Sequence, residues 1–287
     1  MVVNLGRATE GSKFCAVIGP LVLPPAYDEW NRKWHAPHGR TVPSALRKVP
    51  DLWRWRTRYA GPFGFQANNS TRRFEYPWAY HAVPIRAGMV AVDLGGGVSG
   101  FPFTIASAGA SVVNVDPFLD YGSSVDYCDV DPALLIDRLN QVQRTAVRLV
   151  RRDLVGAALP AGSVDVVYCI SMLEHLGPEA RAEALGEVGR ILKPGGHLVL
   201  TVDLFLDLAP FTHRATNRYG TNVDVSEVVD QSGLSLVAGR RAELFGYPEF
   251  DAEQVQSRLA EYLIGAYPAV AQCLVLARPT PPAAGRG

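Results

Sequence analysis

The chain has 287 residues, of which 48% are hydrophobic and 20% are charged, with 28 basic and 28 acidic side chains. This length can bury a full hydrophobic core, and the composition excludes a disulfide-stapled miniature, a disordered chain and a strongly cationic nucleic-acid binder. No apolar stretch approaches the roughly 20 residues that span a bilayer, and residues 1–24 lack the pattern of a secretory signal. The four cysteines are scattered without a C-x-x-C pair. We therefore expect a reduced, cytoplasmic protein without membrane association.

The net charge of the chain is zero, but the charges are unevenly distributed along it. Residues 1–88 carry 13 Lys and Arg against 5 Asp and Glu, whereas residues 89–287 carry 15 against 23. All five tryptophans also lie in the first part, which is rich in proline and aromatic residues. We interpret residues 1–88 as a basic, aromatic N-terminal cap, residues 89–278 as the main domain and residues 279–287 as a disordered tail.

The segment 53–59 of the cap alternates arginine with aromatic residues. Such a run can hold an anionic ligand or stack on bases. Alternatively, Pro50 occupies the first turn of a helix, which places Leu52, Trp55 and Tyr59 on one apolar face against the acidic main domain. We favour this second, structural interpretation.

From Met89 onward, short β-branched apolar runs alternate with helical stretches, which predicts a doubly wound parallel sheet. The predicted strands are Val90–Leu94, Ser111–Val115, Val147–Val150, Val164–Ile170, His197–Val202, Leu234–Val237 and Ala271–Leu276. The predicted helices are Gly100–Ala108, Asp131–Val142, Pro178–Leu192 and Ser226–Ser232. The segment from Lys193 to Gly196 ends the third of these, because proline cannot continue a helix and glycine supplies the turn.

The first predicted strand runs into a glycine-rich turn formed by Gly95, Gly96 and Gly97. Without β-carbons, such a turn lets a ligand approach the backbone at the carboxyl end of the sheet. The signal is weak by itself, because the same segment also satisfies the dinucleotide fingerprint G-x-G-x-x-G.

Two carboxylates narrow the choice of ligand. Asp116 ends the second strand, where a carboxylate can accept both ribose hydroxyls of either a nicotinamide cofactor or S-adenosylmethionine. Asp93 stands two residues before the first glycine, where an anion opposes a pyrophosphate but suits a ligand with an ammonium and a sulfonium group. The pair therefore favours S-adenosylmethionine.

Five motifs follow one another in a fixed order: Asp93-Leu94-Gly95-Gly96-Gly97, Val113-Asn114-Val115-Asp116, Asp153-Leu154 with the segment Leu159–Tyr168, Leu173-Glu174-His175-Leu176, and Leu192-Lys193-Pro194-Gly195-Gly196. Over roughly residues 88–202, their order and spacing resemble those of class I S-adenosylmethionine-dependent methyltransferases of the type 11 group. Ser99 departs from the pattern, because many members of the family have glycine there.

The resemblance implies a seven-stranded Rossmann-like sheet whose last strand inserts antiparallel. It also implies binding roles for particular residues. Asp93 and the turn of Gly95, Gly96 and Gly97 are expected to line the amino-acid end of the cofactor, Asp116 the ribose, Asp153 and Leu154 the adenine, and Ser171 and Met172 the methionine part. Pro117 is a further residue expected to bind the cofactor. Asp153 has a second interpretation as a carboxylate that caps a turn or helix start.

Methyl transfer requires a base only when a hydroxyl or ammonium group must lose a proton. Glu174 and His175 follow the fourth strand, and histidine is the better base near neutral pH. We expect His175, with Glu174 as the second candidate, to be catalytic, although both can instead be structural. No metal site is expected.

The substrate is expected to lie between the cap and an insertion after the fifth strand. The candidate substrate-binding residues are Tyr76, Trp78, Tyr80, His81, Asp203, His213, Arg218 and Tyr219. The chain has 24 arginines against 4 lysines and is rich in alanine, glycine and proline, which indicates a GC-rich gene. We therefore expect a small molecule of specialised metabolism as the methyl acceptor, with an oxygen, nitrogen or carbon atom as the nucleophile.

Three other functions stay open on the sequence alone. An RNA methyltransferase would use the basic cap to bind phosphates, although the neutral total charge argues against it. A nicotinamide-dependent oxidoreductase shares the glycine turn and Asp116 but leaves Asp93 and Asp153 unexplained. A non-catalytic, cofactor-binding partner protein is compatible with the same fold. The oligomeric state is not indicated.

Overall fold

The computed structural model describes residues 17–47, 49, 52–118 and 131–281. The strands are β1 (Val90–Leu94), β2 (Ser111–Val115), β3 (Arg148–Val150), β4 (Val164–Ile170), β5 (Leu192–Phe205), β6 (Ser235–Ala238) and β7 (Ala269–Ala277). The α-helices are α1 (Pro25–Trp34), α2 (Ser44–Arg47), α3 (Trp53–Ala60), α4 (Arg72–Ala82), α5 (Phe101–Ser107), α6 (Pro132–Gln143), α7 (Pro178–Ile191), α8 (Val225–Ser232) and α9 (Ala252–Ser257). None of the helices in these described ranges is long and apolar enough to span a bilayer.

The seven strands form one sheet in the order β3-β2-β1-β4-β5-β7-β6. Strands β1 to β5 pair in parallel, and β7 pairs antiparallel with both β5 and β6. This arrangement confirms the predicted Rossmann-like methyltransferase sheet with its antiparallel last strand. Because β7 runs in the opposite direction, its first residues lie at the same edge as the carboxyl ends of the parallel strands.

Both faces of the sheet are buried, as the continuous apolar runs in its strands predict. Ala91 belongs to a core shared with α5, α6 and the cap, whereas its neighbour Val92 belongs to a core shared with α7 and α8. This alternation follows from the two-residue repeat of a strand. The side chain of Asp93 follows that of Ala91, and it therefore lies on the face that the cap covers.

The cap packs into the core through a series of aromatic rings. Trp30 of α1 contacts Phe63 with 5.8 Å between ring centroids, and Phe63 contacts Tyr76 of α4 at 5.1 Å. Tyr76 stacks on Phe101 at 5.5 Å, and Phe101 meets Tyr168 of β4 at 5.1 Å. The series connects the outermost helix with the centre of the sheet. Of the cap helices, α4 packs directly on the sheet, whereas α1 packs on α4 and α3 packs on α6.

The structure corrects two details of the prediction. Trp55 is 43% exposed, so its expected place on an apolar face against the main domain is wrong, whereas Tyr59 of the same predicted face packs against the core. The buried residues of α3 are instead Thr57 and Ala60. The expected start of this helix at Pro50 lies outside the described residues. Strand β5 begins at Leu192, five residues before the predicted start, because Leu192 already pairs with Val164 of β4.

We expect the cap to contribute strongly to folding stability through its buried rings. Trp30→Ala removes a side chain that is 5% exposed, and it should lower the free energy of unfolding by about 3 to 5 kcal/mol. Trp55→Ala is the matched control and should cost about 1 kcal/mol or less, because that side chain is largely exposed. Urea denaturation measures both, and equally small losses would contradict the packing of the cap into the core.

Candidate functional site

A cavity of about 540 Å³ lies at the carboxyl edge of the sheet, where β1, β2 and β4 end. All ten residues that we expected to bind the cofactor line it: Asp93, Gly95, Gly96, Gly97, Asp116, Pro117, Asp153, Leu154, Ser171 and Met172. Tyr76 and His175, which we expected to contact the substrate or take a proton, also line it. The lining residues that sequence reasoning missed include Gln66, Arg72, Ser99, Phe118 and Ile170.

The glycine turn has no space for side chains. Gly95 and Gly97 have φ angles of 71° and 55°, in the left-handed region that favours glycine. A β-carbon on Gly96 would lie 2.1 Å from Oδ2 of Asp93, and one on Gly95 would lie 2.3 Å from Cγ of Met172. The turn can therefore approach both the Asp93 carboxylate and a bound ligand closely only because these residues are glycines.

Asp93 is buried at the centre of the site, with 3% of its surface exposed. Its Oδ2 atom has no hydrogen-bond partner among the described residues. Burial, with a smaller contribution from the charge of Asp116, raises the pKa of Asp93 to about 7. A buried carboxylate oxygen without a partner is costly, and a cationic group of a ligand would satisfy it.

Asp116 fixes the glycine turn to the end of β2. Its two oxygens accept hydrogen bonds from the amide of Gly97 at 2.9 Å and from that of Phe118 at 2.7 Å. Burial raises the pKa of Asp116, and these two bonds partly oppose the shift. Asp153 is exposed and accepts a bond from Gly156 N at 2.6 Å, so it lines the cavity and also caps a turn.

Arg72 of α4 reaches the cavity from the cap. Its Nη1 atom donates hydrogen bonds to the carboxylate of Glu75 and to Oγ of Ser171, the latter at 2.8 Å. Oε1 of Glu75 also accepts bonds of 2.6 Å from the hydroxyls of Ser171 and Thr201. Burial alone would raise the pKa of Glu75, but Arg72 and the two hydroxyls hold it below its ordinary value. The sequence signal was an Arg-x-x-Glu pair within an aromatic helix.

Ser171 is held at the end of β4 in an uncommon conformation. Its φ angle is 43°, which is rare for a residue other than glycine. The amide of Ser171 donates to the carbonyl oxygen of Thr201 at 2.9 Å, and its hydroxyl joins the Arg72 and Glu75 network. These contacts fix the turn through which the chain leaves β4 and enters the cavity wall.

The two candidate catalytic residues occupy different positions. His175 lines the cavity, and its Nδ1 atom lies 2.5 Å from the carbonyl oxygen of Tyr219. Glu174 is buried outside the cavity wall, and its Oε1 atom accepts a bond of 3.1 Å from the amide of Asp203. Burial, together with the charge of Asp203, raises the pKa of Glu174 well above its ordinary value. The geometry therefore favours His175 as the group that meets a substrate.

The expected substrate-binding residues are only partly brought together. Tyr76 lines the cavity and donates to Oδ1 of Asn68 at 2.8 Å. Asp203 is buried behind Ser171, and its Oδ2 atom accepts a bond of 2.7 Å from the hydroxyl of Tyr267. The other expected residues do not line the cavity: Trp78 is buried in the core, Tyr80 and His81 pack on Trp30 and Tyr27, His213 and Arg218 are exposed, and Tyr219 stacks on Tyr267.

Comparisons with known proteins agree with this fold. Residues 92–200 match the sequence model of a family described as a methyltransferase domain, type 11. No curated protein matches the chain in sequence.

Several solved structures are similar to this chain. The [4+2]-cyclase SpnF has a TM-score of 0.51 and 12% identity, over 85% of this chain and 99% of its own. The 1,6-didemethyltoxoflavin-N1-methyltransferase of Burkholderia thailandensis has a TM-score of 0.48 and 16% identity, over 91% and 95%. The phosphoethanolamine N-methyltransferase 2 of Haemonchus contortus has a TM-score of 0.42 and 16% identity, over 69% of this chain and 50% of its own. The match thus spans half the length of the Haemonchus protein.

The fold, the glycine turn and the acidic strand ends define a class I S-adenosylmethionine-dependent methyltransferase. Within this class, residues 92–200 match the type 11 methyltransferase domain family, and the cofactor is S-adenosylmethionine. The buried, unpartnered oxygen of Asp93 and the glycine turn around it fit the cationic amino-acid end of this cofactor.

We expect the turn not to tolerate a single methyl group. Gly96→Ala places a β-carbon against the buried Asp93 carboxylate and should weaken binding of S-adenosylhomocysteine at least tenfold, by displacing that carboxylate. Gly186→Ala is the matched control, because a β-carbon there meets no atom within 4 Å and the residue lies inside α7. It should leave binding unchanged and stabilise the protein by about 0.5 to 1 kcal/mol. Calorimetry that finds equal affinities for the two variants would contradict this description of the turn.

Proposed function

We propose that this protein transfers the methyl group of S-adenosylmethionine to a small molecule of specialised metabolism in the cytoplasm. Its cavity of about 540 Å³ matches the size of small-molecule sites and is partly covered by the aromatic cap. The buried free thiols of Cys169 and Cys273 support a reducing compartment.

One observation carries the proposal: the cavity presents opposite charges along one wall. Asp93 offers a buried carboxylate oxygen without a partner, and Arg72 is the one lysine or arginine among the described residues that line the cavity. The amino-acid end of S-adenosylmethionine carries an ammonium, a carboxylate and, nearby, a sulfonium group. We assign the ammonium to Asp93 and the carboxylate to Arg72, because each then meets a group of opposite charge. A pyrophosphate at this wall would instead face Asp93.

The order of the strand ends supports the other binding roles. Beside β1, the cavity wall continues to Asp116 and Pro117 after β2, which we assign to the ribose. It continues further to Asp153 and Leu154 after β3, which we assign to the adenine. In the opposite direction, Ser171 and Met172 after β4 would border the methionine chain and the methyl group.

The cofactor supplies an activated methyl group, so the chain mainly has to orient an acceptor and exclude water. Where the acceptor must lose a proton, we assign that step to His175. The carbonyl oxygen of Tyr219 can only accept a hydrogen bond, so the Nδ1 atom of His175 carries the proton and Nε2 carries the lone pair of the neutral ring. The Nε2 atom is the proton acceptor in this proposal.

We propose that residues 1–88 act as a lid that completes the site. Helix α4 contributes Arg72 and Tyr76 to the cavity wall, and the loop before it contributes Gln66. The Oε1 atom of Gln66 accepts a bond of 2.9 Å from the amide of Val98, just after the glycine turn. The cap therefore contacts the cofactor-binding turn itself, which favours this role over that of an RNA-binding surface.

Binding measurements test the proposed cofactor against the nicotinamide alternative. We expect calorimetric binding of S-adenosylmethionine and S-adenosylhomocysteine but not of NAD. Affinity should rise several-fold from pH 6 to pH 7.5, because the Asp93 carboxylate has a pKa of about 7 and must be ionised to hold an ammonium group. Asp93→Asn should remove this pH dependence and weaken binding by about 1.5 to 3 kcal/mol. A clear NAD signal without S-adenosylmethionine binding would overturn the proposal.

A second prediction concerns the proton acceptor. His175→Ala should lower kcat for an acceptor that must be deprotonated by about a hundredfold, with cofactor affinity intact and the acidic limb of the pH profile lost. His38→Ala, in an exposed loop of the cap, is the matched control and should not change the rate. Nitrogen-15 NMR should also show the Nδ1–H tautomer of His175. If His175→Ala lowers only the melting temperature, the residue is structural.

A further inference from the structure

The strand order indicates where the methyl acceptor would enter. If the cofactor extends from β3 across β2 and β1 to β4, the next strand along the sheet is β5, followed by β7. Asp203 lies on β5, two residues before the end of that strand, and Tyr267 lies two residues before β7 begins. The antiparallel direction of β7 brings both residues to the same edge as the cavity.

A pair of buried carboxyl groups lies at this place. Asp203 and Glu174 are each 1% exposed, and the amide of Asp203 donates to Oε1 of Glu174. Oδ1 of Asp203 and Oε2 of Glu174 have no hydrogen-bond partner among the described residues. Two such oxygens in one buried cluster are costly unless a donor satisfies them.

Neither carboxyl group of the pair forms an ion pair with a described residue. The neighbouring Glu75, in contrast, is neutralised by Arg72. Burial and the nearby Glu75 raise the pKa of Asp203 to about 6, and that of Glu174 is raised well above its ordinary value. An ammonium group beside the pair would oppose both shifts, because a nearby positive charge favours the ionised form of a carboxyl group.

Two aromatic residues that do not line the cavity themselves link the carboxyl pair to His175 of the cavity wall. The hydroxyl of Tyr267 donates to Asp203, and its ring stacks on that of Tyr219 with 4.1 Å between centroids. Both tyrosines are half-buried, and the carbonyl oxygen of Tyr219 holds His175, which lines the cavity. Carboxylates next to aromatic faces are a favourable environment for an organic ammonium group.

We propose that the methyl acceptor is an amine, held as an ammonium group by the carboxyl pair of Asp203 and Glu174 beside the rings of Tyr267 and Tyr219. This inference rests on the proposed methyl transfer and specifies its accepting atom. The nitrogen loses one proton to Nε2 of His175 and forms the new C–N bond, while the C–S bond breaks and its electron pair passes to sulfur. Asp203, Glu174 and Tyr267 bind and orient the amine.

Matched pairs of an amine and its alcohol test directly whether the site prefers an ammonium group. Ligand-observed NMR titrations at pH 7.5, on protein saturated with S-adenosylhomocysteine, compare tryptamine with tryptophol and phenethylamine with phenethyl alcohol. We expect each amine to bind at least tenfold more tightly than its alcohol. Asp203→Asn should abolish this difference, whereas Asp207→Asn, whose native carboxylate pairs with Arg214 outside the cavity, should preserve it.

The controls separate this inference from the proposed function. If S-adenosylhomocysteine fails to bind in the same samples, methyl transfer itself is refuted. If it binds but neither amine exceeds its alcohol, including the case in which neither probe binds, the amine inference is overturned. Should Asp203→Asn fail to fold, Glu174→Gln and Tyr267→Phe provide the comparison, because each alters one side of the same cluster, and an undiminished amine preference in both would also refute the assignment.

Discussion

The site depends on one constraint, the burial of the Asp93 carboxylate beneath the glycine turn. The turn can pass over this carboxylate only because Gly96 has no β-carbon, and it is held in place from two directions. Asn114 and Asp116 of the β2 end bond the carbonyl oxygen and the amide of Gly97, while Gln66 of the cap bonds the next amide. A buried charge at this point is therefore fixed in position before any ligand arrives, which is the preorganisation that a cationic cofactor requires.

The same helices that stabilise the fold also complete the site. Helix α4 buries Phe74 and Trp78 in the core, while its Tyr76 lines the cavity and its Glu75 accepts a bond from Ser171 of the cavity wall. Because an α-helix repeats every 3.6 residues, Arg72 and Glu75 lie on one face and can form an ion pair with each other. Stability and ligand binding are thus properties of one element, and a substitution in it will often affect both.

Much of this architecture is predictable because it is local in sequence. The strands β1, β2 and β4 have the predicted bounds, and the ten residues expected at the cofactor share one cavity, because glycines and carboxylates at strand ends carry their own signal. Arg72 and Tyr267 could not be identified in this way, since only tertiary packing brings them to the sheet edge. The inward face of α3 was mispredicted because Trp55, although apolar, stacks on Tyr59 at the surface.

The part of the chain that matches the methyltransferase family model is distinct from the parts that it does not share with that family. The family match ends at residue 200, and it therefore includes the ends of β1, β2, β3 and β4 but neither the cap nor the end of β5. Arg72, Asp203 and Tyr267 all lie outside it. A fold that also supports a [4+2]-cyclase does not determine the reaction by itself. On the proposed assignments, the cofactor contacts therefore lie in the shared strands except for Arg72 of α4, whereas the acceptor contacts of Asp203 and Tyr267 lie outside the shared part.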